Sequence, residues 1–183
     1  MAIATLKNGK LIEITGKYPD CYVQIGIKKI YMDILPDISD SKSADYQTES
    51  GIARASPFNI YKYSSIRTIS WTCHFIIQSS SSNDDTKSVD KLIENIRILQ
   101  SACYPSTEDG HPPPICHLKC GDLLDSKDGV CAVLKSYSLK FDTSVPWDES
   151  TLIPYKVDMD LQFDVVYNQE SLPTSNMILE SGY

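Results

Sequence analysis

The chain has 183 residues, a formal net charge of −7 and 42% hydrophobic residues. That length fits one domain, and the apolar share supplies a core and excludes disorder for most of the chain. The acidic balance argues against a free nucleic-acid binder, which presents a basic face. No run reaches the roughly 18 apolar residues of a membrane span, and residues 1–14 lack the apolar stretch of a secretory signal, so no membrane embedding is expected.

In chain order, strands are expected over residues 11–15 and 22–32, followed by a long polar excursion over 33–57 that holds a weaker strand at 44–49. Residues 54–67 interleave aromatics with cations: Arg54, Phe58, Tyr61, Lys62, Tyr63 and Arg67. Such a stretch can serve as a stacking platform for single-stranded nucleic acid, but the negative net charge favours a protein interface, where aromatics and arginine are enriched. From Ile69 the apolar phase runs Ile69, Trp71, Cys73, Phe75, Ile77, with Thr68, Ser70, Thr72 and His74 opposite. Period two over that length means a half-buried antiparallel strand.

After the linker SSSSNDD, Val89, Leu92, Ile93, Ile96 and Leu99 recur at helical spacing. Asp85, Thr86 or Ser88 can cap the start, and Pro105 stops the helix. Residues 104–114 carry four prolines and form a stiff connection. Cys116, Leu118 and Cys120 alternate, and residues 121–129 end in Asp-Gly, as a hairpin loop does. A further strand has its apolar phase at Cys131, Val133, Tyr137, Leu139 and Phe141, interrupted at Lys135. Residues 142–154 connect it, with Trp147 as an apolar anchor, to the longest alternating run: Tyr155, Val157, Met159, Leu161, Phe163, Val165, Tyr167. Residues 1–168 thus read as one domain and 169–183 as a tail that orders on a partner. The class is mainly β (α+β): an antiparallel sandwich or rolled sheet with one packed helix.

Chemical motifs are sparse. There is no phosphate-cradling glycine loop, GxSxG, HExxH or CxxC, and no enzyme activity, cofactor or metal is expected. The six cysteines read as reduced, packed thiols. Cys116-His117-x-x-Cys120, with His111 and Cys103 upstream, has zinc-ligand chemistry, but on a strand His117 points away from both cysteines. Asp158, Asp160 and Asp164 share one strand face, where a solvated surface is the plain reading and a cation or acid–base site the sharper one. His74 sits beside Ser70 and Thr72, and a triad there needs a convergence that sequence does not supply.

The order of four stretches resembles the tube-fold proteins of contractile phage tails and related injection machines, in particular baseplate hub or tube-initiator proteins. They are YVQIGIKKIYMDILPDISDSKSADYQTES; SIRTISWTCHFIIQ; KLIENIRILQSACYP running into HPPPICHLKCGDLL; and GVCAVLKSYSLKFDTSVPWDESTLIPYKVDMDLQFDVVY. The resemblance implies a virion protein assembled in the host cytoplasm. It would be a ring subunit, six-fold in such machines, stacked on adjacent tube and baseplate proteins, with DNA only as passing cargo. It also implies that a long hairpin augments the neighbour's sheet, that Asp158, Asp160 and Asp164 line the lumen, and that Tyr46, Arg54, Tyr61, Tyr63, Arg67 and Trp147 lie between subunits. Two other readings stand beside it. One is a ligand- or carbohydrate-binding β module with a pocket near Trp147 and Tyr104. The other is a cation-dependent hydrolase on the acidic strand.

Overall fold

The computed structural model describes residues 3–7, 10–14, 18–52, 56–77, 85–105, 110–124, 129–149 and 152–167; for 3–7, 10–14 and 85–88 the description is of the backbone. The elements in order are β1 (Ile3–Lys7), β2 (Lys10–Ile14), β3 (Cys21–Ile25), β4 (Lys28–Tyr31), β5 (Asp37–Ser41), β6 (Ala44–Glu49), β7 (Phe58–Ser64), β8 (Thr68–Ile76), α1 (Asp85–Ser101), β9 (Ile115–Cys120), β10 (Val130–Lys140), β11 (Trp147–Asp148), β12 (Ile153–Pro154) and β13 (Lys156–Val165). The protein is mainly β with one helix among the described residues, as its alternation requires.

Seven strands form one antiparallel sheet in the order β4-β3-β9-β10-β13-β8-β5, and three two-stranded ribbons, β1–β2, β6–β7 and β11–β12, stand outside it. Successive side chains of a strand point to opposite faces, so each alternating run assigns one face to the core. The buried phase comprises Ile69, Trp71, Cys73, Phe75 and Ile77 around β8, and Val157, Met159, Leu161, Phe163 and Val165 on β13. Val23 on β3 and Cys116, Leu118 and Cys120 on β9 continue it. Burying each large aliphatic or aromatic side chain there stabilises the fold by about 1.5–3 kcal/mol before entropy is counted. The link from β8 to β9 passes the two strands between them, β10 and β13, and α1 lies in that link. Its Leu92 and Leu99, with Ala102 just beyond, complete the core, so the second layer is this helix rather than a second large sheet.

Two expectations change. The run 22–32 is two strands: Ile25 pairs with Lys28 across a two-residue loop whose first position, Gly26, has φ 56°. Only glycine takes that conformation without a Cβ penalty, and the turn it makes suits the strand twist. In β10 the inward residues are Val130, Ala132 and Leu134, so Cys131 and Val133 face the other way. The register against β13 slips between Leu134 and Ser136, and the extra residue, Lys135, moves Tyr137 and Leu139 into the apolar phase. The interruption at Lys135 is a β-bulge.

Gly129 closes the β9–β10 loop with φ 76°, and a Cβ there would collide with the Leu118 carbonyl; at Gly121, φ 54°, the same Cβ meets open space. Gly129→Ala should therefore lower stability by about 1–3 kcal/mol and Gly121→Ala by about 1 kcal/mol. Urea unfolding of the two variants checks this, and equal losses would contradict the close approach.

Candidate functional site

The feature that departs most from a closed fold is the β6–β7 ribbon. It continues the β5–β8 ladder: Ser41 pairs with Thr68, the Ser65 amide donates to the Ser43 carbonyl at 2.7 Å, and Ala44 then pairs with Ser64. The weak strand expected at 44–49 is one limb, and Phe58–Ser64, in the aromatic-rich stretch, is the other. Every described residue of both limbs is exposed. Tyr46 and Tyr61 pack edge to face with ring centroids 5.7 Å apart, and Tyr63, Phe58 and Ile60 are also exposed. A two-stranded ribbon without a covered face is marginal in water, and this arm exposes apolar area that no described residue buries.

The remaining residues singled out in the sequence lie elsewhere. Arg54 and the tail 169–183 are outside the described residues, as are the side chains of Asp85, Thr86 and Ser88. Arg67 is engaged within its own chain: Nε donates to both carboxylate oxygens of Asp40 at 2.9 Å, and Nη2 donates to the Leu124 carbonyl at 3.3 Å. The Asp40 hydrogen bonds raise its already high pKa. Trp147 sits on the ribbon β11–β12, where its Nε1 donates to the Asp142 carbonyl at 3.2 Å and its ring helps line a cavity against α1. Tyr104 does not line that cavity; its hydroxyl lies 3.4 Å from that of Tyr137.

Asp158, Asp160 and Asp164 do share the outward face of β13, and each finds a partner, Asp158 and Asp160 in register with β8 and Asp164 at the β10 bulge. Asp160 accepts from the Thr72 hydroxyl at 2.7 Å, and Asp164 lies 3.3 Å from Lys135 Nζ. Asp158 lies 3.0 Å from Lys156 Nζ and 2.7 Å from His74 Nδ1, while His74 Nε2 faces Asp37 of β5 at 3.2 Å. With a carboxylate at each ring nitrogen, the imidazole favours its doubly protonated form. The hydrogen bond to Asp158 is the main cause raising the His74 pKa; partial burial opposes it, and Asp37 adds to it. Partial burial pushes the Asp158 pKa up, but hydrogen bonds from His74 and Lys156 outweigh it and hold the carboxyl below its usual range. Among the described residues no serine is hydrogen-bonded to His74. Sequence reasoning missed Asp37, because its meeting with His74 follows from the β5–β8–β13 strand order, which no local pattern carries.

The cysteines are all free thiols. Burial pushes Cys73 up to about 12 and Cys116 up to about 11, and it also raises Cys21, whose sulfur lies 3.5 Å from that of Cys120. His117 points to the face opposite Cys116 and Cys120, 3.5 Å from Cys131 Sγ. Among the described residues no group of three or more His, Cys, Asp or Glu is placed to hold a metal ion, and no helix is long and apolar enough to cross a membrane.

No protein-family model matches the chain, and no curated protein matches it in sequence.

The His74 contacts make stability pH-dependent with a definite sign. A raised folded pKa means the contribution is complete below the unfolded value near 6.5 and is lost as pH rises through the folded value. The urea midpoint should fall across that alkaline window in the wild type and stay flatter in His74→Gln. A His74 ring titration by NMR should give a pKa above 6.5, lowered in Asp37→Asn. A value at or below 6.5 would contradict the double contact.

Proposed function

We propose that the chain is a structural subunit of a self-assembling ring at the baseplate end of the inner tube of a contractile tail, acting without catalysis. The observation that carries this reading is the wholly exposed β6–β7 arm, an extension of the β5–β8 ladder that bears Tyr46, Tyr61 and Tyr63. An arm of this kind lowers its free energy by lying against a neighbour, where aromatic side chains contribute most per residue.

Two further features support it. Among the described residues the sheet ends in edge strands paired on one side only, β4 at one end and β5 at the other, and ring closure is one way to remove such edges. The outward face of β8 and β13 presents Ser70, Thr72, Asp160 and Gln162, a hydrophilic surface suited to an aqueous channel. With a net charge of −7 per chain, such a channel would let DNA pass without adhering. The partners on this reading are copies of the chain and the tube and baseplate proteins above and below, in the assembled virion.

Light scattering over a concentration series, with electron microscopy of the larger species, tests this against an arm-less variant. Because residues 43 and 65 are already paired, residues 44–64 can be replaced by Asn-Gly, which closes a two-residue hairpin. The wild type should form closed rings with a central channel, and the arm-less variant should stay a folded monomer. A wild type that is monomeric at every concentration, or an arm-less protein that assembles equally well, would overturn the proposal.

A further inference from the structure

A cavity of about 380 Å³ lies between α1 and the end of the sheet where β10 finishes and β13 begins. Its floor is Val157 and Leu139, its helix wall is Ile93 and Ile96, and Trp147 and Ile153 close the far side. Only two lining side chains are polar, Arg97 and Gln100, neighbours one turn apart on the helix. Arg97 has no acidic partner among the described residues, in contrast to Arg67. At the mouth, Phe141 and Leu152 are exposed, Leu152 by 74%, and Leu152, with backbone φ 55°, donates its amide N–H to the Asp148 carbonyl at 2.8 Å.

An apolar pocket with one convergent cationic group selects an apolar body that ends in a single anion. A sugar fits poorly, because its hydroxyls would lose water against walls that return almost no hydrogen bonds. At about 380 Å³ the space is at the small end of the range of small-molecule pockets. We infer that this cavity is a binding site for a single-chain carboxylate amphiphile of medium length, its alkyl chain between α1 and β13 and its carboxylate on Arg97, with Gln100 as a second donor. The site is separate from the arm and does not depend on ring assembly.

Decanoate is the probe, with decanol and decyl maltoside as controls, and the readout is the Trp147 indole N–H resonance together with calorimetry. Decanoate should bind one per chain, saturably, below the concentration at which it forms micelles. Arg97→Gln, at an exposed position, should weaken decanoate about tenfold or more, as loss of a hydrogen bond to a charged group does, and leave decanol unchanged. Ile96→Trp fills the space and should abolish binding of every probe, with its melting temperature measured alongside. No saturable binding by the wild type would overturn the inference, as would decanoate affinity indifferent to Arg97 or a preference for the maltoside.

Discussion

The β8–β13 ladder is the constraint from which the other features follow. Nine residue pairs run without a register break from Thr68 with Asp164 to Ile76 with Lys156. On one side this stacks Trp71 beside Leu161 and Ile69 beside Phe163, so the largest side chains of the core meet as cross-strand neighbours. On the other side the same register sets His74 opposite Asp158 and Thr72 opposite Asp160. A slip by one residue would exchange the two faces, burying carboxylates and exposing aromatics, so the core and the polar surface specify the register together.

The ladder also explains the arm. Because β5 pairs with β8 over Asp37 to Ser41, the two chains leaving the sheet beyond Ser41 and before Thr68 are already antiparallel and adjacent. Residues Ser43 and Ser65 carry the pairing across the gap, and β6 and β7 continue it. The direction of the arm is therefore fixed by the core. Its apolar side chains, however, are not part of the core, and its tyrosines stay exposed. The His74 contacts to Asp37 and Asp158 tie the root strand of the arm to the central ladder at the opposite end of β5.

Much of this was legible in the sequence because period two is a strong local signal. The strands around Trp71 and Phe163, the helix carrying Leu92 and Leu99, and the inward Cys116, Leu118 and Cys120 all follow from spacing alone. Local spacing misleads where one residue changes the phase. Lys135 looks like a single polar interruption, yet as a bulge it reverses which residues of β10 face inward, and Cys131 moves to the outer face beside His117. Gly26 is a single turn signal among apolar neighbours, and the exposed Ile27 after it disguises the loop. Meetings between distant segments left no local trace. Asp37 reaches His74 through strand order, and the cavity draws Ile96, Leu139 and Trp147 from three elements separated by proline-rich or polar connections.

On the proposed function, the arm and the outer strands are surfaces completed by another copy. Amide hydrogen exchange, measured in dilute protein and again at high concentration, tests it most directly. β8 and β13 should be protected in both states, and β6, β7 and the outer strand β4 should gain protection only in the concentrated sample. An arm already protected in dilute monomer, or one that exchanges equally fast in any associated state, would contradict it.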